Sequence, residues 1–294
     1  IIKLKKKIFI NMEIYISTGG FRSDTAFEVV AKFIKNGIKN IELSGTKYSS
    51  ENIAEISKLK DKVKLQIHNY FPPPKLPFVL NLASSDNKIY KKSFEHINNA
   101  LETCAKLHCK YYSFNAGFLC DIQVKELGNK ILNRDLQERN NCISVFIERV
   151  AKISKKAKKL GINLMIENNV LTQNTKKEFK QNPFLMCEKD ECLKVINKLP
   201  ENVKLLVDVA HLKISSKTLN FAPEGFLKSC NNIIGGYHLS DNNGLSDTNE
   251  KFNEDSWFWP YINKKINYYT IEVYDLDFKE IKNLYNLTKK KLND

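Results

Sequence analysis

Six apolar runs in this chain close on a side chain that could bind a metal or carry a proton. His68 ends KLQIH (64–68), Asn115 ends YYSFN (111–115), Glu167 ends NLMIE (163–167) and Asp208 ends KLLVD (204–208). His238 closes IGGYH (234–238), and Glu272 is next to last in YTIEV (269–273). Apolar runs of this length are buried, and an unpaired buried carboxylate costs several kcal/mol, so Asp208 in LLVDVAHL needs a partner. Drawn to one point, Glu167, Asp208, His238 and Glu272 would repel one another without a cation. A divalent metal removes that repulsion by taking carboxylate oxygens and imidazole nitrogen at about 2.0–2.2 Å. An oxygen-rich set favours Mn²⁺ or Mg²⁺ and leaves Co²⁺ or Zn²⁺ open. Each residue taken alone has a plainer reading as a helix cap or surface group. Four of them on four consecutive runs do not.

The elements that must position these groups follow from periodicity. Strands are read at 13–17, 40–44, 64–68, 111–115, 163–167, 204–208, 234–238 and 269–273. Helical patterns alternate with them at 23–37, 49–59, 90–108, 141–161, 187–199, 223–230, 255–264 and 277–292. Ser23-Asp24 and Ser49-Ser50 supply start signals, and Gly37 and Gly161 stop signals. Eight strand–helix units with strands too apolar for a sheet wet on one face predict a (β/α)8 TIM barrel, with a doubly wound open sheet as the alternative. In a barrel the carboxyl ends of all strands open on one face, and neighbouring strands lie about 4.8 Å apart, so the six polar ends can converge. No linker composition divides the chain. One domain is read over 12–294, and the leader 1–11, IIKLKKKIFIN, is read as a disordered or extended segment upstream of Met12.

Composition narrows the partners. The chain has 294 residues, 42% hydrophobic and 27% charged, with no apolar run near the roughly 18 a membrane helix needs. Its formal charge of +14 raises the question of nucleic acid, yet only four of the 47 basic residues are arginine. The lysines are scattered along helical segments and read as a solvated surface. Seven cysteines, an odd number without a C-x-x-C, point to a reduced, cytoplasmic protein.

The segments GIKNIELSG, QIHNYFPP, NLASSD, MIENN, LLVDVAHL, GYHLSDNNGLSD and TIEVY, in that order, resemble the xylose-isomerase-like barrel superfamily of sugar isomerases, epimerases and endonuclease IV. The resemblance implies that Glu167, Asp208, His238 and Glu272 hold one divalent metal. It implies that Glu167 and Glu272 are catalytic, one removing a proton beside a metal-polarised carbonyl and the other returning it on the opposite face. It also implies that His68, Asn115, His211, Glu42 and Asp247 bind substrate, a small carbohydrate that is free, phosphorylated or nucleotide-linked, and leaves a homodimer open. Two departures qualify this. Asn115 and the Asp247–Asn249 pair stand where a trinuclear nuclease has imidazoles, which favours one metal and disfavours nucleic acid. LSDNNG after His238 lacks the arginine of ketose 3-epimerases, and Gln173 stands near their second glutamate, so a free ketohexose is not the obvious substrate. A metal-dependent hydrolase on abasic DNA and a non-catalytic carbohydrate-binding barrel remain as alternatives.

Lesser features fit around this frame. YFPPPKLP (70–77) reads as a rigid loop at the mouth, with Phe71 or Phe78 available to cover a sugar ring. DSWFWPY places Trp257, Phe258, Trp259 and Tyr261 where they could stack on a sugar or a second subunit, or simply pack as core. Lys47 and Lys213 could serve an anionic sugar, although a solvated role is the plainer reading. His96 and His108 are read as bystanders.

Overall fold

The fold is taken from a computed structural model that describes residues 12–294, so the expected leader at 1–11 lies outside the described residues. Eight parallel strands form a closed barrel in chain order: β1 (Glu13–Ser17), β2 (Asn40–Leu43), β3 (Lys64–His68), β4 (Tyr111–Asn115), β5 (Asn163–Glu167), β6 (Val203–Asp208), β7 (Ile234–Leu239) and β8 (Tyr268–Ile271). Closure is made by β8 pairing with β1, Glu13 opposite Tyr268 through Ile16 opposite Ile271. The barrel interior is filled rather than hollow. Tyr15, Met165, Leu206 and Tyr268 form a buried layer inside it, with the Tyr111 ring stacked on Tyr268 at 4.7 Å. Gly236 makes that layer possible: a Cβ there would fall 2.5 Å from Tyr268 Cδ1 and 2.9 Å from Leu206 Cδ1.

The helices cover the outer face of the strands. They are α1 (Ala26–Lys35), α2 (Asn52–Ser57), α3 (Asn87–Lys106), α4 (Arg139–Lys159), α5 (Gln173–Phe179), α6 (Lys189–Ile196), α7 (Val209–Leu219), α8 (Pro223–Cys230) and α9 (Phe278–Asn293). In α1, buried Val29, Val30 and Phe33 recur at helical spacing against the barrel. Its start is fixed by a capping box between Thr25 and Glu28, one residue beyond the Ser23-Asp24 signal. All seven cysteines are buried free thiols.

Three helical expectations are corrected, the first by α5, which lies between the helices expected at 141–161 and 187–199. Residues 209–219 follow β6 with no turn, and Asp208 is at once the last strand residue and the N-cap of α7, accepting the His211 N–H at 2.8 Å. The helix expected at 255–264 is one 3-10 turn, Trp259–Tyr261, around Pro260. Its aromatics answer the stacking question: Phe258 and Trp259 are buried and pack on each other at 4.7 Å and on Phe252 at 5.9 and 5.6 Å. They are core. No helix of the described residues is long and apolar enough to cross a membrane.

Candidate metal centre and substrate cavity

Register brings the polar strand ends level with one another: Asn115 pairs with Glu167 across β4–β5, and Asp208 with His238 across β6–β7. Donor atoms of Glu167, Asp208, His238 and Glu272 all lie within 4.8 Å of one another, and all four residues are buried. His238 Nδ1 is 2.9 Å from Glu167 Oε1 and 2.8 Å from Glu272 Oε2. These approaches lack the alignment of hydrogen bonds, for Glu167 Oε1, Asp208 Oδ2 and His238 Nδ1 are each buried with no hydrogen-bond partner. Orphaned buried polar atoms are costly one by one. Three on three strands, converging on one point, are what a divalent cation would satisfy. The residues fit such an ion.

The other atom of each group is held from behind. Glu167 Oε2 accepts from Asn115 Nδ2 at 2.7 Å, and Asn115 Oδ1 in turn accepts from Asn69 Nδ2 at 2.5 Å. Glu272 Oε1 accepts from the Tyr274 hydroxyl at 3.0 Å. Asp208 Oδ1 takes the His211 N–H, and His238 Nε2 faces Glu42 at 3.2 Å. Glu42 Oε2 also accepts from the Tyr268 hydroxyl and, at 2.8 Å, from Thr270 Oγ1. A carboxylate behind a ligating imidazole fixes which ring nitrogen is free to bind.

Charge explains the titration of the cluster. Burial pushes the Glu167 carboxyl up, but the imidazoles of His238 and His68 outweigh it and bring it to about 2. Glu272 is lowered in the same way, by His238 first and His68 after it, against its own burial. Asp208 goes the other way: burial pushes it up to about 7, His211 holds it back, and the Glu167 charge adds to the rise. Burial would lower His238, yet the carboxylates of Glu42, Glu272 and Glu167 around it raise it well above an ordinary imidazole. The cluster calls for positive charge at its middle.

A cavity of about 1400 Å³ opens above these groups, above the roughly 300–1,000 Å³ usual for small-molecule sites. His68, Asn115, His211 and Asp247 line it, as do Glu167 and Glu272. His68 Nδ1 contacts Ser113 Oγ at 2.9 Å and its Nε2 lies 3.7 Å from Glu167 Oε2. His211 Nε2 pairs with Asp247 at 3.1 Å. Glu42 does not line the cavity; fully buried, it sits behind His238. Phe71 is likewise fully buried, and Phe78 packs on Tyr70 and His96, so Tyr70 is the aromatic residue of that loop at the cavity wall. Lys213 is tied to Asp241 at 2.6 Å. Asn249 donates to the Glu272 carbonyl at 3.1 Å. Arg22, Thr46, Asn69 and Tyr274 line the cavity and were not singled out from sequence. The available signals were an arginine just past strand one, in a chain with four, and a tyrosine two residues beyond Glu272.

Residues 27–272 match the model of a family described as xylose isomerase-like TIM barrel. Comparison with curated proteins finds no match. Among solved structures, a D-tagatose 3-epimerase-like protein superposes with a TM-score of 0.71 at 20% identity, covering 96% of this chain and 97% of that one. D-psicose 3-epimerase from Clostridium cellulolyticum H10, solved with D-tagatose, gives 0.64 at 14% identity over 96% and 97%. The IOLI protein with a binding zinc atom gives 0.66 at 13% identity over 96% and 98%. At these identities the likeness is one of fold.

Proposed function

Because the chain belongs to the xylose isomerase-like TIM barrel family, we propose that it is a metal-dependent sugar or sugar-phosphate isomerase or epimerase. The observation that carries this reading is the set of orphaned buried atoms, Glu167 Oε1, Asp208 Oδ2 and His238 Nδ1, gathered with the Glu272 carboxylate at the strand ends. Glu167, Asp208, His238 and Glu272 would hold one divalent ion, Mn²⁺ by the oxygen-rich donor set, with zinc supported by the structural relative that carries it. When bound, such an ion would supply Lewis-acid polarisation of a substrate carbonyl and charge stabilisation beside it.

The chain's own residues supply the proton transfers. Each glutamate has one oxygen turned to the centre and the other tied to a donor, Asn115 for Glu167 and Tyr274 for Glu272. That tether holds each carboxylate in one orientation, which suits a general acid–base group. One glutamate removes the proton beside the carbonyl and the other returns it, on the opposite face in an epimerisation. His68, Asn115, His211 and Asp247 would orient the sugar hydroxyls. The epimerase names of the structural relatives point to the same chemistry. Seven buried thiols suit a reducing compartment such as the cytoplasm.

The test is a screen of sugars, sugar phosphates and nucleotide sugars for exchange of a carbon-bound proton with deuterium oxide, using metal-loaded protein. Exchange that disappears with Glu167→Gln or Glu272→Gln supports the reading. Exchange unaffected by both substitutions would remove the paired-glutamate mechanism.

A further inference from the structure

Two imidazoles meet beside the metal centre, His68 from β3 and His238 from β7, edge to face with ring centroids 4.8 Å apart. His238 is backed by Glu42. His68 has a different support. It ends β3 in register with Ser113 of β4, and its Nδ1 lies 2.9 Å from the Ser113 hydroxyl oxygen. Both side chains are buried, the serine completely. At the other side of the ring, Nε2 lies 3.7 Å from Glu167 Oε2, and the residue lines the cavity.

The hydroxyl protons decide which ring nitrogen carries the hydrogen. Ser113 has one proton and three acceptors within reach: His68 Nδ1 at 2.9 Å, the Tyr268 hydroxyl at 3.4 Å and the Ile67 carbonyl at 3.5 Å. The last two are long against the usual O–H···O distance of about 2.7–2.8 Å. The Tyr268 proton goes to Glu42 Oε2, so that hydroxyl can only accept from Ser113. If Nδ1 carried the ring hydrogen, the serine proton would be left to one of the two long contacts. Nε2 would then turn a lone pair toward the Glu167 carboxylate, which repels it. A doubly protonated ring would leave the serine proton in the same poor position. With the hydrogen on Nε2 alone, Ser113 donates to Nδ1 and the N–H dipole points toward the carboxylate. A donor behind one nitrogen and a carboxylate before the other select the same tautomer. The 3.7 Å separation from Glu167 is too long for a hydrogen bond, so the Nε2 proton is available to a ligand oxygen.

We propose that Ser113 is a positioning residue that holds His68 in its Nε2–H form, so that the ring presents a hydrogen-bond donor to a substrate oxygen beside Glu167. This rests on the sugar-converting function proposed above and assigns the direction of one of its hydrogen bonds. An Nε2–H donates to a carbonyl or a hydroxyl oxygen, whereas a bare Nε2 could only accept from a hydroxyl. Ser113 does not line the cavity and acts through the ring.

The experiment is long-range proton–nitrogen correlation NMR of zinc-loaded protein carrying isotope-labelled histidine, with the His68 signals assigned by their loss in His68→Gln. The parent, Ser113→Ala and Ser113→Thr are compared, with zinc content and thermal unfolding measured alongside. In the parent, His68 Nδ1 should resonate as an unprotonated nitrogen and Nε2 as a protonated one. Ser113→Ala should lower the ratio of the Nε2–H to the Nδ1–H form by about fivefold, the scale of one neutral hydrogen bond. Ser113→Thr keeps the hydroxyl and should keep the parent pattern. An Nδ1–H or doubly protonated His68 in the parent overturns the proposal without recourse to any variant. An unchanged ratio in folded Ser113→Ala also overturns it, as does loss of zinc from that variant, which would make the serine a support of the metal rather than of His68. The expected tautomers with no deuterium exchange on any sugar would overturn the sugar-converting reading and leave the positioning of His68 standing.

Discussion

Replacing Glu42 by glutamine should weaken metal binding, because Glu42 stands directly behind His238. The side chain is fully buried, so no water can take over its contacts. Its Oε2 already receives the Tyr268 and Thr270 hydroxyls, and the group faces His238 Nε2 at 3.2 Å. Glutamine keeps the shape and can keep the two hydroxyl contacts through its carbonyl oxygen. Its NH2 then meets His238 Nε2 and holds that nitrogen as an acceptor. The ring proton is driven to Nδ1, the atom turned toward Glu167 and Glu272. Metal binding must then displace that proton without a carboxylate behind the ring. Loss of such a supporting carboxylate costs about 10–100-fold in metal affinity, which is about 1.4–2.8 kcal/mol. Competition between the protein and a chromogenic chelator, for zinc or manganese at fixed pH, measures it. Thermal unfolding of the metal-free variant checks that the barrel is intact. An affinity within twofold of the parent in a folded Glu42→Gln protein would refute the claim that Glu42 sets the imidazole.

Three further expectations follow from the packing and the site. Gly236→Ala should destabilise the barrel by about 1–3 kcal/mol, the usual cost of overpacking, because its Cβ would press on Tyr268; an unchanged urea midpoint would contradict this. His96, buried between Tyr70 and Phe78 with Asn69 O at 3.0 Å, is lowered by burial against that carbonyl's opposing pull. Its neutral form is therefore favoured on folding, so its stabilising contribution is full above its ordinary value of 6.5 and is lost as pH falls through the lowered folded value. Chemical unfolding over acid pH should show a shallower decline in His96→Gln than in the parent, and identical slopes would remove His96 from the account. The protein should not nick an abasic duplex in added zinc, since Asn115 and Asn249 are occupied with Glu167 and the Glu272 carbonyl; multiple turnovers abolished by Asp208→Ala would show otherwise.

The barrel was legible in the sequence because every strand is a short apolar run and its polar residue falls at the carboxyl end. The expected and observed strands differ by at most two residues at either end, as at 269–273 against Tyr268–Ile271. The helix at 209–219 was hidden because Asp208 serves both elements and leaves no turn residue to mark the junction. The opposite error arose at 255–264, where consecutive Phe258 and Trp259 both pack on Phe252 and only one 3-10 turn forms. Glu42 could be found as a candidate but not given its place, because its partner His238 lies 196 residues away and meets it only when the barrel closes.

The central claim is that Glu167, Asp208, His238 and Glu272 build one divalent centre on which the chemistry depends. Elemental analysis of the purified protein after dialysis, against the Glu167→Gln, Glu272→Gln double variant, tests it directly. The account predicts one divalent ion per chain in the parent and strongly substoichiometric metal in the variant. Stoichiometric metal retained by a folded double variant would contradict it.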